Sequence, residues 1–218
     1  MSNKIIYLIR HSEKFDRLKL KTRNNDEEII YGEKLVLSVR GEEKAKNLSK
    51  LPEMKNIKEL WSSNMVRALE TAKYIAEENN LFINIDERFR ERTSGDINKD
   101  EENYAKFWLG QHLDENLKSP NGESRLEVQT RMYNGLMDIL NNTKQDCIGV
   151  VSHGAAMTFL LMKWCELEYI NNDKVKKLIY KNKDIINRIF NMPEIFKLTF
   201  SKDNELLDIE NIDVEDKL

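Results

Sequence analysis

The amino-acid sequence predicts an α/β fold of three layers, α/β/α, around a mostly parallel central sheet. Two short apolar runs, Lys4 to Ile9 (KIIYLI) and Cys147 to Val151 (CIGVV), read as strands buried on both faces. Segments of helical period alternate with such runs along the chain, which is the pattern of parallel strands joined by helical crossovers. No repeat, low-complexity tract or linker interrupts the 218 residues, so one domain over residues 1–218 is expected.

Each element has its own signal. Arg10 and His11 follow the first strand at its carboxyl end. From Glu13 to about Glu33 the residues are polar without a period, and the segment reads as loop. Gly41 to Leu51 reads as a helix stopped by Pro52. Ile57 to Trp61 is a strand leading into Ser62-Ser63-Asn64, residue types that cap helices. Beyond them Met65, Ala68, Leu69, Ala72, Ile75 and Ala76 recur at helical spacing. Leu81 to Ile85 is a short strand. A charged, irregular stretch from Asp86 gives way to a helix from Asn103 towards Leu117, and Pro120-Asn121-Gly122 marks a turn. Leu126, Tyr133, Leu136, Met137 and Leu140 outline an amphipathic helix. Ser152-His153-Gly154 follow the CIGVV strand, and the next helix, Ala155 to Trp164, is apolar nearly all round and needs cover on several sides. Asn171 to Arg188 reads as one more helix. Ile195 to Phe200 and Leu206 to Ile209 read as a closing pair of strands.

Composition narrows the function classes. A formal net charge of −3 supplies no global basic footprint for nucleic acid, so no nucleic-acid partner is expected. Charges break every apolar stretch well short of a membrane span, and the opening MSNKIIYLIRH lacks the apolar length and cleavage site of a signal peptide. Cys147 and Cys165 do not make a disulfide framework and read as packing residues. A cytoplasmic protein without a membrane partner is expected.

Two of the three histidines, His11 and His153, directly follow an apolar strand, where open α/β sheets place their ligand sites. A strand-capping histidine is more often structural, but two of them share one crevice if their strands are neighbours. Arg67 falls in the first turn of the helix beginning near Asn64, where the macrodipole disfavours a cation. Either its side chain bends into water, or an anion sits there with the guanidinium and the helix-end N–H groups. Arg10 is a second cation not needed for folding. His112 reads as a surface residue of its helix. No paired Cys-x-x-Cys, His-Glu-x-x-His or phosphate-binding P-loop occurs, so neither metal nor nucleotide chemistry is supported.

These residues resemble a known family. The run Leu8-Ile9-Arg10-His11-Ser12-Glu13 is similar to the Arg-His-Gly-Glu signature of the histidine phosphatase superfamily, the phosphoglycerate mutase-like proteins. Leu37-Ser38 with Gly41 and Ala45 resembles its Leu-Thr…Gly…Ala segment, and Ser63 to Ala72 its Ser-x-x-x-Arg-Ala-x-x-Thr-Ala helix. Phe89-Arg90-Glu91 with Gly95 resembles the acidic-loop motif, Pro120-Asn121-Gly122-Glu123-Ser124 the Pro-Gly-Gly-Glu-Ser motif, and Ser152-His153-Gly154 the Ser-His-Gly motif. Six matches stand in the family's order between Ile5 and Trp164. Ser12 departs from the family's Gly, and its small hydroxyl is a candidate phosphate donor.

The resemblance implies a phosphoglycerate mutase-like fold and a phosphoric monoester hydrolase that uses no metal and no cofactor. It implies His11 as the nucleophile that becomes phosphohistidine, with Arg10, Arg67 and His153 holding the phosphoryl oxygens. Glu91 takes the general-acid position, with Glu87 as the alternative. Gly154 and Ala155 would offer helix N–H groups to the phosphate. The substrate would be a small phosphorylated metabolite. Two alternatives stand beside hydrolysis: a phosphoglycerate-type mutase, and an inactive relative that binds phosphorylated ligands. Family mutases carry an Arg-rich segment before Pro-Gly-Gly-Glu-Ser, whereas Arg92, Lys99, Lys106 and Lys118 are scattered here, which favours hydrolysis.

The loop after His11 carries Lys14, Arg17, Lys19, Lys21 and Arg23, followed by Asp26, Glu27 and Glu28. The loop either neutralises itself at the surface, or Lys14 and Arg17 meet a second anionic group of the substrate.

Overall fold

Strand β1 (Lys4–Arg10) places successive side chains on opposite faces, as the period of two requires. Ile6 and Leu8 enter one hydrophobic layer, and Tyr7 and Ile9 the other. Ile6, Leu8 and Ile9 are fully buried, each burial being worth about 1.5–3 kcal/mol. The computed structural model describes residues 3–21, 29–97, 101–170, 175–214 and 217.

The remaining strands of the main sheet are β2 (Glu59–Ser62), β3 (Ile83–Ile85), β4 (Cys147–Ser152), β8 (Glu194–Phe200) and β9 (Leu206–Ile212). Their order is β3-β2-β4-β1-β8-β9. The first four run parallel, while β8 is antiparallel to both β1 and β9. β4 is buried along its whole length, as its unbroken apolar run requires.

Helices cover both faces. α1 (Val39–Ser49), α2 (Pro52–Lys55) and α3 (Val66–Asn79) contribute Leu48, Met54, Ala68, Ala72 and Ile75 to the layer shared with Tyr7 and Ile9. On the other face α5 (Arg125–Asn142) and α6 (Gly154–Leu161) bring Met132, Leu136, Met157 and Leu160 against Ile6 and Leu8. This is the three-layer α/β arrangement expected. α4 (Glu101–Leu113) lies within two to four residues of the expected Asn103–Leu117 helix. Ser124 and Glu127 form a reciprocal capping box at the start of α5, worth about 1 kcal/mol.

The expected helix over Asn171 to Arg188 is not present. Its described residues instead form β6 (Val175–Tyr180) and β7 (Lys183–Asn187), which with β5 (Glu166–Ile170) make a separate antiparallel sheet in the order β5-β6-β7. Lys181 and Asn182 both have positive φ, 49° and 64°, as the tight two-residue hairpin turn matching strand twist demands. A lysine at the first turn position hides that signal, and Leu178, Ile185 and Ile186 supply the buried contacts that favour strands.

The segment expected as loop between Glu13 and Glu33 contains a short 3-10 turn at Arg17–Lys19 and a wider turn at Ile29–Glu33. Arg23, Asp26, Glu27 and Glu28 lie outside the described residues, as does Lys99.

Candidate active site

The register of the sheet builds the site. β1 and β4 are adjacent and parallel, with Arg10 opposite Ser152, so the residues that follow, His11 and His153, emerge side by side. Their ring centroids are 5.1 Å apart. The His11 N–H donates to the Ser152 carbonyl at 2.9 Å, continuing the ladder one residue past the strands. β2 flanks β4 on its other edge and brings Ser63 to the same end, where its N–H donates to the Val151 carbonyl.

His11 is almost completely buried. Its Nδ1–H donates to the Ser12 carbonyl at 2.7 Å, and its Nε2 accepts from Arg67 Nε at 3.1 Å. A carbonyl only accepts and a guanidinium only donates, so these partners set the tautomer: the proton sits on Nδ1 and the lone pair on Nε2. Burial, then the Arg67 and Arg10 guanidiniums and, more weakly, Lys14 hold its pKa well below 6.5, outweighing the Ser12 hydrogen bond. The ring is therefore neutral at neutral pH, with its lone pair on Nε2.

Arg67, only 6% exposed, does not bend into water. Besides His11 it donates to the Gly32 carbonyl and the Met65 sulfur. The cap of α3 is Met65, with no side-chain capping bond, rather than one of the Ser62-Ser63-Asn64 cluster. Ser63 Oγ instead sits 2.8 Å from His153 Nε2 and accepts the Met65 N–H. His153 Nδ1 is buried and has no hydrogen-bond partner among the described residues. Burial, followed by Arg67, holds the His153 pKa well below 6.5 as well.

Arg10 reaches across to the segment between β7 and β8, its Nη1 donating to the Phe190 and Asn191 carbonyls at 2.8 and 3.0 Å. Gly154 lies against the guanidinium: a Cβ there would sit 3.1 Å from Arg10 Nε, tighter than most real contacts. Burial lowers the Arg10 pKa, with Glu91 and Glu194 opposing and Arg67 reinforcing that shift.

Glu91 joins the same end of the sheet, bound to main-chain N–H groups. Its carboxylate accepts the N–H groups of Ala156 at 2.9 Å, Ala155 at 3.3 Å and Arg92 at 2.9 Å. The Ala155 N–H expected to hold a phosphate is thus engaged by Glu91, since the opening of α6 attracts the nearest carboxylate. Glu87 is exposed on a short turn, Glu87–Phe89.

Close backbone packing explains two of the motif glycines. A Cβ at Gly41 would meet the Glu13 carbonyl oxygen at 1.9 Å, so only glycine lets α1 lie against the loop after His11. Gly95 has φ +67°, and a Cβ there would meet the Pro120 oxygen at 2.3 Å, which ties the Glu91 loop to the Pro120–Ser124 turn. Glu123 knits the same region by accepting from Arg131 and the Thr93 N–H; burial raises its pKa, and these contacts with Arg90 outweigh that to lower it.

Ser12, in the place of the family glycine, carries no positive φ and donates its hydroxyl to the Gly41 carbonyl at 2.7 Å. It braces the loop rather than addressing a phosphate. Thr71 Oγ1 accepts the Ser12 N–H. Lys14 forms an isolated bridge with Leu37, and burial followed by Arg67 and Arg17 lowers its ammonium pKa, which places it in the cationic field of the site. Arg17 is exposed on the neighbouring 3-10 turn.

His112 is buried, contrary to the surface position expected of it. Its Nδ1 donates to the Trp108 carbonyl, and its ring packs edge-on against Trp108 and Phe159. Cys147 and Cys165 are free and buried, and burial pushes their thiols up to about 11 and about 12, in keeping with packing roles. Among the described residues no group of three or more His, Cys, Asp or Glu is arranged to hold a metal ion, and no helix is long and apolar enough to cross a membrane.

The sequence suggests only a helix cap for Ser63 and no role for Thr71, although both lie in the matched helix motif. The carbonyls of Gly32, Phe190 and Asn191 carry no sequence signal at all.

The comparisons with known proteins agree with this architecture. The model of a family described as "Histidine phosphatase superfamily (branch 1)" matches residues 6–182. The Escherichia fergusonii protein named "Probable phosphoglycerate mutase GpmB" is 29% identical over 165 residues, 72% of each chain. A mycobacterial glucosyl-3-phosphoglycerate phosphatase superposes with a TM-score of 0.64 at 17% identity, covering 96% of this chain and 97% of that one. Phosphoserine phosphatase from Entamoeba histolytica, solved with phosphoserine, superposes with a TM-score of 0.61 at 20% identity, covering 95% and 96%.

Proposed function

We propose, because the chain belongs to the histidine phosphatase superfamily (branch 1), that it hydrolyses a small phosphate ester through a phosphohistidine on His11. The observation that carries this reading is the His11 tautomer: a buried neutral ring, proton on Nδ1, with Nε2 facing a guanidinium. An imidazole attacks phosphorus only with a free lone pair. When a phosphoryl group enters, Arg67 turns its N–H from Nε2 to a phosphoryl oxygen and leaves the lone pair free.

The steps then balance. His11 Nε2 forms a bond to phosphorus as the ester P–O bond breaks, and Glu91, entering the step as the carboxylic acid, gives its proton to the departing oxygen and becomes the carboxylate. Arg10, Arg67 and His153 stabilise the charge on the three equatorial oxygens. Water next attacks the phosphorus as the P–Nε2 bond breaks, the Glu91 carboxylate takes the water's proton and is again the acid, and inorganic phosphate leaves with His11 neutral. Glu91 is supported over Glu87 because it lies beside Arg10 and the start of α6.

Hydrolysis is favoured over a mutase reaction by the cations between Glu91 and Ser124. Arg92 is buried and donates to Gln111, while Lys118 pairs with Glu127. Neither offers a second anion site. The similarity to proteins named as probable phosphoglycerate mutases keeps the mutase as the competing reading. A panel of phosphate monoesters with trapping of the phosphoenzyme decides between them: released inorganic phosphate supports hydrolysis, and transfer to another hydroxyl of a glycerate phosphate overturns it. A cytoplasmic location accords with the two free, buried cysteines.

Arginines and a histidine take the part that two-metal phosphatases assign to ions. Turnover is therefore expected to persist in excess chelator, and a loss restored by a divalent cation would contradict this mechanism.

Lys14 supports a role beyond the transferred phosphate, because it follows His11 by three residues and is exposed where its backbone bridges to Leu37. In a Lys14→Ala, Arg17→Ala protein, KM for esters carrying a second anionic group is expected to rise several-fold, up to roughly 30-fold at low salt. KM for simple monoesters should stay within twofold or so. Equal effects on both classes return the loop to a surface role.

A further inference from the structure

A cleft of about 220 Å³ opens beside the candidate site. It is lined by Arg10, Glu91 and the first turn of α6, together with Trp108, Ile189 and Phe190. His11 is not among the lining residues. In an in-line displacement the leaving oxygen departs opposite the attacking nitrogen and within reach of the general acid. A cleft that includes Glu91 and excludes His11 therefore lies on the departing side. Resting on the hydrolase reading, we propose that this cleft is the leaving-group subsite and takes an apolar portion of the leaving group, about one ring in size.

Three observations set that chemistry. First, apart from Arg10 and Glu91 the lining among the described residues carries no charged side chain, and Lys14 and Arg17 are not part of it, so a charged group placed against Trp108, Ile189 and Phe190 loses water without gaining a charged partner. Second, the volume is below the roughly 300–1,000 Å³ that encloses a drug-sized ligand, so the part of the leaving group it holds is small.

Third, both walls are held rigidly. Trp108 stacks on Phe159 with centroids 5.2 Å apart, meets the His112 ring edge-on at 4.6 Å, and has the Arg92 guanidinium 4.5 Å from its ring centre. The opposite wall is built on the segment whose carbonyls hold Arg10. Buried Glu194 anchors that segment by accepting from the Asn191 N–H, Arg188 and Asn211. The apolar wall and the phosphate-facing guanidinium are thus positioned by one strand connection. Ile189, 61% exposed, presents its side chain at the mouth.

Titration calorimetry with two non-hydrolysable probes tests this without relying on turnover. Phenylphosphonate is expected to bind the full chain roughly 10- to 100-fold more tightly than methylphosphonate. Trp108→Ala should remove most of that difference, and Ile189→Ser, at a site too exposed to endanger folding, should reduce it several-fold. Neither should change methylphosphonate affinity. Equal affinity of the two probes for the native protein overturns the proposal, as does an Ile189→Ser protein that keeps the full difference or weakens both probes alike. If the binding pattern holds but phenyl phosphate is not turned over, the apolar subsite stands and the hydrolase reading falls.

Discussion

His11→Ala is expected to reduce phosphatase turnover to on the order of 10⁻⁴–10⁻⁶ of the native rate and to eliminate the acid-labile phosphoenzyme. The size follows from the role: His153 is held by Ser63 through Nε2 in a different position, its ring centroid 5.1 Å from that of His11, and His112 is packed against Trp108 and Phe159. Folding should survive, since His11 lies one residue beyond β1 and the hydrophobic contacts of Ile6, Leu8 and Ile9 are untouched. Rapid quench with radiolabelled substrate, paired with a thermal melt, reads both quantities. Near-native turnover in a folded His11→Ala protein would falsify the phosphohistidine mechanism. The depressed pKa of His11 adds a pH signature. A nucleophile already neutral well below 6.5 gives no loss of activity as pH falls through 6.5, whereas an ordinary histidine would begin to protonate there.

Glu91→Gln should divide substrates by their leaving groups. The amide retains the shape and can still accept the Ala156 N–H, but it has no proton to give. Esters of poor leaving groups, such as alkyl phosphates, are expected to lose about 10²–10⁴ in kcat/KM, the usual contribution of a general acid. p-Nitrophenyl phosphate, whose leaving group is already a stable anion, should lose far less in the step that forms the phosphohistidine. Return of the phosphoryl to water still needs a base, so a larger steady-state phosphoenzyme is expected with that substrate. Equal losses across the leaving-group series would move the acid elsewhere, with Glu87 next in line.

Much of the candidate site is legible in the sequence alone. His11, His153, Arg10 and Arg67 were identified from their places at strand ends and in a helix's first turn, and Glu91 from its motif. All five meet at the carboxyl ends of β1, β2 and β4. Less legible were the supports. Ser63 looked like a helix cap because capping and histidine-orienting serines are the same residue type, and only the neighbouring strand tells them apart. His112 looked exposed because nothing in the period of α4 distinguishes a polar ring on the surface from one packed under Trp108. The β6–β7 hairpin was misread as helix because its charged residues mask the alternation and its turn lacks the usual glycine.

What was written in the linear chain is what local chemistry controls: the apolar runs that must be buried as β1 and β4, the helical periods of α3 and α5, and the order of residues able to act on a phosphate. What required the folded molecule is everything set by register and by backbone partners distant in sequence. Arg10 opposite Ser152 puts two histidines 142 positions apart at ring contact. The carbonyls of Phe190 and Asn191 aim Arg10, and Glu91 settles on the N–H groups opening α6. The reason is physical: burial and periodicity depend on side chains a few positions apart, whereas a hydrogen bond to a main-chain atom can be offered by any residue type and is assigned only once the strands have paired.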